Sequence, residues 1–498
     1  MIRAVAAAPV ALVAFFMVMV LAALAMRVGF VSDDAVSLWA GAIAAGDGEV
    51  PIGRIIAAYP SMPFMATTLL EYLTPIGTPT PALIAASILS LLCFLSFAAF
   101  RNSGIGFIVA TAATALTMLH PAMLRAAVAG PAEMFFVLFL FLFASGLYDL
   151  RARSAAPEVM TIGLALVGLS FSHPVGAALC IASVPFLILA VRPALAANSS
   201  ANMVIALIFP TVFCVGAFSY VSWVFPGSGW SFLTAPEQSL AAWSAGMSRL
   251  VGMAPTPILA IVAAIATAAA LALGAPLAVT TMVRIRSRLP LVMPPLIVAC
   301  AAVAAAVFTV GTGLFGDPAI LLAAAPILAA SILMRVPDMR EHRTFALAML
   351  ALGWLGGAVG LLIMDPRIGV QARDAWTATR GDRDRVDALE LGHATVGMAG
   401  VLVDTFNAPA VVLGRTQASG LIGPNNEAFS LSILFGRIDA PFVALADPQS
   451  ATGAQDRINR AFPLLYRRGM KGYRLVYQNQ TWRMYARADE PPRLANQQ

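Results

Sequence analysis

The sequence predicts an α-helical, polytopic membrane protein with a small soluble α/β domain at its C-terminal end. Of the 498 residues, 60% are hydrophobic and only 11% are charged, which is too little polar surface for a soluble fold of this size. Long apolar runs recur as far as Ile363. After that residue the composition changes abruptly to segments rich in arginine and aspartate. The sequence therefore predicts a membrane domain over residues 1–363 and a soluble domain over residues 364–498.

The apolar runs indicate about eleven transmembrane helices, since each span needs roughly 20 apolar residues. No convincing small-residue cleavage site follows the first run, so we expect it to be retained as a helix rather than removed as a signal peptide. His173-Pro174 is either the tip of a hairpin between two short helices or a kink in one long helix, and the odd total depends on the hairpin. The predicted spans are 4–26, 81–100, 105–119, 131–148, 159–172, 174–191, 202–224, 258–283, 290–310, 317–335 and 344–363.

The arginines predict the orientation, because positive charge in short loops is retained in the cytoplasm. With the N-terminus inside, most arginines fall at cytoplasmic helix ends. These are Arg3, Arg101, Arg151, Arg153, Arg192, Arg284, Arg286, Arg288, Arg335, Arg340 and Arg343. The opposite short loops hold Arg27, Arg54, Arg125 and Arg249, together with Asp33, Asp34, Asp47, Glu49, Glu71, Glu133, Glu237 and Asp317. We therefore expect a plasma (inner) membrane protein whose first loop and C-terminal domain face the periplasm or cell exterior.

The C-terminal domain shows strand-like runs and a helix-like stretch over residues 456–468. The predicted strands are 400–403, 410–413, 442–445, 473–477 and 482–485. The net charge of +6 is spread over loop ends and the tail rather than along one stripe, so we expect no nucleic-acid partner. All four cysteines fall in predicted spans, which makes a disulfide framework or thiolate metal site unexpected.

Familiar catalytic motifs are absent from the sequence. It has no phosphate-binding glycine loop followed by Lys-Ser/Thr, no His-Glu-x-x-His and no Gly-x-Ser-x-Gly, which argues against ATP-driven transport and zinc hydrolysis. What remains is a long first outer loop, residues 27–80, which begins with the pair Asp33-Asp34. These carboxylates are either a place for acid–base chemistry or an N-cap of the next helix. Apolar spacing predicts helices over 34–45 and 63–73 that lie along the membrane interface, or else a structural re-entrant loop.

This arrangement resembles the polyprenyl-phosphate-dependent GT-C-type membrane glycosyltransferases, such as the protein O-mannosyltransferases and the bacterial aminoarabinose transferase of lipid A. The resemblance rests on the first helix, the acidic pair outside it, the Tyr59-to-Pro63 stretch, the segment from His120 to Tyr148 and the short helices around His173. It covers residues 1–363 as a pattern of topology and short motifs. The C-terminal domain has no match to the carbohydrate-binding or β-trefoil domains of some relatives.

The resemblance implies a catalytic base at Asp33 or Asp34, since an acidic residue in the first outer loop has that role in the family. An acceptor hydroxyl must lose its proton as it attacks the anomeric carbon, and a nearby carboxylate can take it. The resemblance also implies a polyprenyl-phosphate-linked sugar as donor and a single, inverting displacement. The phosphate leaving group needs cations, for which Arg54, Arg125 and Arg249 are the outer-face candidates. A divalent cation, Mg²⁺ or Mn²⁺, is the candidate cofactor, with Asp33 and Asp34 as its candidate ligands.

Other side chains are weaker candidates for substrate binding. Glu133 and Asp317 either favour helix N-termini or line one cavity that binds acceptor or metal. His120 and His173 are either donor-phosphate ligands or turn residues before proline. The first loop adds Tyr59 and Glu71. The tryptophans at the end of the span 202–224 and in the loop after it suit sugar stacking and an interfacial belt equally: Trp223, Trp230 and Trp243.

The main alternative function is non-catalytic. A flippase, a transporter or an assembly subunit of an envelope polysaccharide system would have the same many-span sequence. Transporters tend to contain paired broken helices and internal repeats, and no repeat at a fixed offset is visible here. The acidic residues lie at helix ends on one side of the membrane, and this favours an enzyme that works at that side.

Overall fold

The computed structural model describes residues 8–27, 33–153, 155–191, 193–225, 256–284, 289–336, 342–365 and 383–488. The chain divides into two compact units. The first comprises Met1–Ala22, Ala57–Pro63 and Ala82–Arg373. The second comprises Ala23–Ile56, Phe64–Pro81 and Asp374–Gln498, so it joins most of the first loop to the C-terminal domain. This division differs from a single boundary after residue 363.

The membrane part of the chain is helical, and every predicted span coincides with at least one helix. In chain order the helices are α1 (Ala8–Arg27), α5 (Thr80–Asn102), α6 (Phe107–Met118), α7 (Pro121–Ala129), α8 (Pro131–Arg153), α9 (Ala156–Ser172), α10 (Pro174–Ala190), α11 (Pro193–Val224), α12 (Thr256–Gly274), α13 (Pro276–Arg284), α14 (Leu289–Thr312), α15 (Ala324–Arg335) and α16 (Arg343–Met364). Helices α2 (Asp33–Gly46), α3 (Ile52–Ile56) and α4 (Ser61–Leu73) belong to the first loop. A 3₁₀ segment, Pro318–Ala323, precedes α15.

The chain is a multi-pass membrane protein. Within the described residues, six helices are long and apolar enough to cross a membrane, or up to eight spans if each of two bent pairs counts as one. Helix α15 with its 3₁₀ segment is the most enclosed of them, since protein buries 94% of its apolar stretch. The full count of about eleven spans, the inner membrane and the orientation stay predictions.

The segment around His173 is a hairpin of two helices rather than one kinked helix. The Cys180 thiol on α10 contacts the Leu166 carbonyl of α9 at 3.1 Å. A Cβ at Gly176 would lie only 2.0 Å from the carbonyl oxygen of Leu169, so this crossing requires glycine. The two contacts pair positions that run in opposite directions along the chain. Each helix has 17 residues and is therefore about 25 Å long, close to the hydrocarbon thickness of about 30 Å.

Two helix pairs are sharply bent. Helices α6 and α7 meet at 56°, and α12 and α13 meet at 87°. The predicted span over 258–283 is therefore a bent pair of helices rather than one straight helix, because Pro276 has no N–H to continue the first helix and opens a new one. Pro121 likewise begins α7 after a break at Leu119-His120, beyond the end of the predicted span 105–119.

The second unit is an α/β domain with a five-stranded sheet. Its helices are α2 (Asp33–Gly46), α3 (Ile52–Ile56), α4 (Ser61–Leu73, which begins in the first unit), α17 (Arg383–Ala394), α18 (Pro409–Arg415), α19 (Glu427–Phe435), α20 (Ala451–Gln455), α21 (Arg457–Ala461) and α22 (Leu465–Arg468). Its strands are β1 (Val401–Leu402), β2 (Leu421–Ile422), β3 (Phe442–Ala446), β4 (Tyr473–Gln478) and β5 (Trp482–Arg487). The strand order is β2-β1-β3-β5-β4. Strands β2, β1 and β3 run parallel to one another. Strand β5 pairs antiparallel with both β3 and β4.

Three details of the predicted C-terminal domain are wrong. Residues 410–413 are helical rather than extended, because Pro409 is in the first turn of α18, a position that favours helix initiation. Strand β2 was missed because it has only 2 residues and its apolar run is too short to show a period. The helix-like stretch 456–468 is two short helices, interrupted around Pro463.

The predicted first-loop helix over 34–45 is present as α2, but its apolar face packs on protein. Val36, Trp39, Ala40 and Ile43 are buried in one hydrophobic cluster with residues of the C-terminal sheet and its helices. Helix α4 instead leaves apolar side chains exposed, which suits the interfacial position predicted for it. These are Met65, Leu69, Tyr72 and Leu73.

The shared core of α2 and the C-terminal domain constrains the topology. Both must lie on the same side of the membrane, so an even number of spans must separate them. All six long helices and both bent pairs follow the first loop, and the α9–α10 hairpin would add two crossings. Among the described residues, six, eight or ten crossings satisfy the constraint, whereas a structure in which only one bent pair crosses does not.

Reporter fusions test this topology. We expect fusions after Gly53 and after Gln498 to report the same, periplasmic side, and fusions after Arg153, Arg288 and Arg343 to report the cytoplasm. Alkaline phosphatase and green fluorescent protein fusions at each site measure the two locations independently. Opposite sides for Gly53 and Gln498 would contradict the shared core of the second unit.

Candidate functional site

One arginine and three carboxylates form a charged cluster in the first unit. Arg125 Nη1 lies 2.6 Å from Glu133 Oε2. Its Nη2 lies 3.3 Å from Asp365 Oδ2 and 3.9 Å from Asp317 Oδ2. The cluster thus joins the candidates Arg125, Glu133 and Asp317 with Asp365, which was predicted only as the start of soluble sequence. An acid directly after the last apolar run was the signal that could have indicated it.

Breaks and ends of helices position these four side chains. Arg125 lies on α7, the second half of a bent pair, and Glu133 lies in the first turn of α8. The Asp317 carboxylate caps the 3₁₀ segment by accepting a hydrogen bond from the Ala319 N–H at 2.8 Å. Asp365 follows the last turn of α16. Glu133 and Asp317 were predicted either to favour helix N-termini or to line one site. Both descriptions apply, because each residue lies at a helix N-terminus and also contacts Arg125.

The cluster has more negative than positive charge. The exposed fraction of its side chains is 17% for Arg125, 14% for Glu133, 10% for Asp317 and 5% for Asp365. One guanidinium faces three carboxyl groups, and helix N-termini stabilise two of these. Such a site suits hydroxyl groups, ammonium groups or protons. A phosphate at Arg125 would also face the three carboxylates, whose charge repels it.

Both candidate histidines act as helix caps. His120 Nδ1 accepts a hydrogen bond from the Ala122 N–H at 3.2 Å, and His173 Nδ1 accepts one from the Val175 N–H at 3.1 Å. These bonds place the proton of a neutral imidazole on Nε2. His120 Nε2 then donates to the Gly353 carbonyl at 3.1 Å, which completes a structural role. His173 Nε2 has no hydrogen-bond partner among the described residues, and the ring is within electrostatic range of Arg125.

Tyr59 and Glu71 hold helices together within their own units. The Tyr59 hydroxyl donates to the Ser170 carbonyl at 2.9 Å, next to the hairpin. Glu71 Oε2 accepts hydrogen bonds from Trp39 Nε1 at 3.2 Å and from Thr80 Oγ1 at 2.7 Å. Glu71 thereby connects α4 with α2 and with the start of α5.

The candidate cations of the loops have different surroundings. Arg54 Nη1 donates to Asn425 Oδ1 at 2.5 Å, in the loop after β2, and its side chain is otherwise exposed. Arg249, with Trp230, Glu237 and Trp243, lies outside the described residues. Within the part of the chain that the structure describes, no group of three or more His, Cys, Asp or Glu side chains is arranged to hold a metal ion.

The acidic pair opens helix α2. The Asp33 side chain is 89% exposed and forms an ion pair with Arg385 of α17, whose own side chain is only 11% exposed. Asp34, also exposed, has protein interactions as well. The helix is held by its buried apolar face in the core of the second unit. The carboxylates are therefore exposed at the start of a helix whose apolar face is buried in the second unit.

A second acidic pair is buried in the C-terminal domain. Asp456 caps α21 by accepting from the Ile458 N–H at 2.8 Å, and Asp404 Oδ2 accepts from the Arg457 N–H at 3.1 Å. Burial raises the pKa of the Asp456 carboxyl from 3.8 to about 7, although the bond from Ile458 opposes this change. The nearby Asp404 carboxylate also raises the pKa.

This raised pKa predicts a pH-dependent C-terminal domain. Because the pKa of Asp456 is raised in the folded state, its protonated carboxyl stabilises the folded domain. This contribution is fully present below about pH 4 and is lost as the pH rises through about 7. The free energy of unfolding falls by on the order of 4 kcal/mol over this range. Asp456→Asn keeps the cap acceptor and removes the titration, so we expect the variant to gain stability relative to wild type between pH 5 and pH 8.

Limited proteolysis of the full chain tests this expectation. The ratio of wild-type to variant cleavage rates within residues 442–461 cancels the pH dependence of the protease itself. Asp439→Asn is the matched control, since that carboxylate is 72% exposed. A ratio that is the same at pH 5 and pH 8 for Asp456→Asn would rule out titration of this group.

Comparisons of the chain with protein-family models, with curated proteins and with solved structures find no match.

Proposed function

We propose that the protein is an integral-membrane glycosyltransferase. It moves a sugar from a polyprenyl-phosphate donor to a lipid, polysaccharide or protein acceptor outside the cytoplasm. The observation that carries the proposal is the exposed carboxylate pair Asp33-Asp34, held on a helix that packs in the core of the second unit. A transporter has no evident need for carboxylates at that place, whereas a base for an external acceptor belongs there.

The proposed reaction is one displacement at the anomeric carbon. The acceptor oxygen attacks that carbon while Asp33 or Asp34 takes the hydroxyl proton, and the bond from carbon to the phosphate oxygen breaks. The electron pair leaves with the polyprenyl phosphate. Attack from the face opposite the leaving group inverts the anomeric configuration. Arg385 positions the Asp33 side chain through their ion pair.

Among the candidate arginines that the structure describes, Arg54 is the best placed for the lipid phosphate. Its exposed guanidinium lies on the short helix α3, between Ile52 and Ile56, which are 74% and 41% exposed. Exposed apolar side chains around a cation suit the level of lipid headgroups. The exposed apolar face of α4 follows in the chain and could contact the polyprenyl tail. Arg125, by contrast, is already engaged by carboxylates.

We expect Arg54→Ala to weaken donor use. Loss of a charge-assisted hydrogen bond corresponds to about 1.5–3 kcal/mol, which would appear as a raised KM for the polyprenyl-phosphate sugar. Arg437→Ala is the control, because Arg437 is 79% exposed and pairs only locally with Asp439 among the described residues. Equal KM values for the two variants would show that residues other than Arg54 recognise the phosphate.

The second candidate function is transport or flipping of a lipid-linked saccharide. Two observations favour it: the two bent helix pairs and the charged cluster around Arg125, which lies on one of them. Discontinuous helices with ionisable groups at the break are typical of transporter binding sites. On this alternative the first unit contains the working site and the Asp33-Asp34 pair is a helix cap.

One experiment separates the two candidates. The purified protein in lipid nanodiscs is incubated with a panel of radiolabelled polyprenyl-phosphate sugars and glycan, lipid and peptide acceptors. In parallel, proteoliposomes are assayed for translocation of fluorescent lipid-linked sugars. Transfer of label that depends on Asp33 or Asp34 supports the glycosyltransferase. Translocation without transfer, lost on substitution of the Arg125 cluster, supports the alternative.

A further inference from the structure

The second unit contains a cavity of about 220 Å³ between helix α2 and the C-terminal sheet. It lies at the carboxyl ends of β1 and β2, where Thr405 and Phe406 follow β1 and Asn425 and Asn426 follow β2. Ligands of open α/β sheets bind beyond the carboxyl ends of parallel strands. Position alone therefore makes this cavity a candidate binding site.

The polar side chains in the cavity retain unused hydrogen-bonding capacity. Within the described residues, the side chains of Ser37, Glu49 and Thr405 have no hydrogen-bond partner. Asn425 and Asn426 each use the amide oxygen, which accepts from Arg54 and from the Ala428 N–H, and so leave the amide NH₂ as a donor. The cavity thus offers two NH₂ donors, two hydroxyls and one carboxylate acceptor.

The remaining wall is apolar and carries one aromatic ring. Ala40, Ala44, Val412 and Leu421 line the interior. The Phe406 side chain is 51% exposed and stacks with the Arg457 guanidinium at 5.3 Å. A ligand with an apolar ring face and several hydroxyl groups, each both a donor and an acceptor, would match this wall and these polar groups.

Charge and size narrow the class of ligand. Glu49 disfavours phosphates and carboxylates. The guanidinium groups of Arg54 and Arg457 are engaged with Asn425 and with Asp404. The volume of about 220 Å³ is below the range of roughly 300–1,000 Å³ for drug-sized ligands and suits a single ring. We propose that this cavity binds one neutral monosaccharide unit.

The cavity also lies close to the acidic pair along helix α2. Ser37 is three residues after Asp34 and four after Asp33, so each acid is a neighbour of Ser37 on the helix surface, about 5–6 Å away at Cβ. A bound sugar would then be near the proposed base. That this sugar belongs to the acceptor rests on the proposed function, whereas the binding itself does not.

Saturation-transfer difference NMR on the full chain in lipid nanodiscs tests the proposal. Nanodiscs avoid maltoside detergents, whose sugar headgroups would compete. The probes are the methyl glycosides of glucose, galactose, mannose and arabinose, with inorganic phosphate as an anionic probe. We expect at least one glycoside to bind and Glu49→Gln and Thr405→Val each to weaken its Kd at least tenfold.

Two further variants provide the controls. Glu427→Gln removes an exposed carboxylate of the same unit that does not line the cavity, and we expect it to leave glycoside binding unchanged. Asp33→Asn should keep binding, so a loss of transfer alone in that variant separates the proposed function from this site. Absence of glycoside binding, binding that survives both cavity substitutions, or preferential binding of phosphate would each overturn the inference.

Discussion

Asp33→Asn or Asp34→Asn is expected to abolish sugar transfer while expression and folding stay intact. The amide keeps the size of the side chain and most of its hydrogen bonding but cannot accept a proton. Loss of a general base typically reduces a rate by about 10²–10⁴, whereas loss of a helix cap reduces stability by roughly 1 kcal/mol. We favour Asp33, whose exposed carboxylate is held by Arg385. Transfer by each purified variant in nanodiscs, with its melting temperature, measures both effects.

A matched control comes from a second exposed acid–arginine pair in the same unit. Asp439 forms an ion pair with Arg437 at 2.9 Å, and Asp439→Asn should leave transfer unchanged. Arg385→Gln should reduce transfer less than Asp33→Asn, because it removes the positioning group and not the base. Full activity of both Asp33→Asn and Asp34→Asn would make the carboxylates structural and favour the transporter alternative.

Arg125→Ala is expected to destabilise the membrane unit strongly. The substitution leaves Glu133, Asp317 and Asp365 without their shared cation in a mostly buried site. Removal of one partner from a buried ion pair typically costs about 3–5 kcal/mol. We expect a lower yield of monodisperse protein and a markedly lower aggregation temperature, both measured by fluorescence-detected size-exclusion chromatography.

A more exposed ion pair in the same unit provides the control, and removal of the carboxylates provides a rescue. Arg335 pairs with Asp149 at 2.7 and 3.0 Å, but their side chains are 41% and 33% exposed, so Arg335→Ala should cost only about 0–1 kcal/mol. Adding Glu133→Gln and Asp365→Asn to Arg125→Ala should recover part of the lost stability by removing two of the negative charges that Arg125 had balanced. Equal aggregation temperatures for Arg125→Ala and Arg335→Ala would show that the cluster does not depend on its arginine.

The helices of the membrane part were predictable because span length is a local property. An apolar run either matches the hydrocarbon thickness or does not, and only chain neighbours are needed to judge it. The breaks were less predictable. Pro276 bends its pair by 87°, whereas Pro185 lies inside α10 without ending it. Whether a proline stops a helix depends on the groups that satisfy the freed carbonyl, and those come from other helices.

The sequence by itself determined the class of the protein, the positions of its apolar helices and the acidic pair that opens α2, since composition and apolar spacing act over a few turns. Only the tertiary structure decided that α2 packs in the core of the C-terminal domain and that Arg125 lies against Asp365, 240 residues away. It also brought Glu49 and Thr405 to one cavity. Contacts of this kind depend on how distant segments pack, which no local pattern of hydrophobicity or charge specifies.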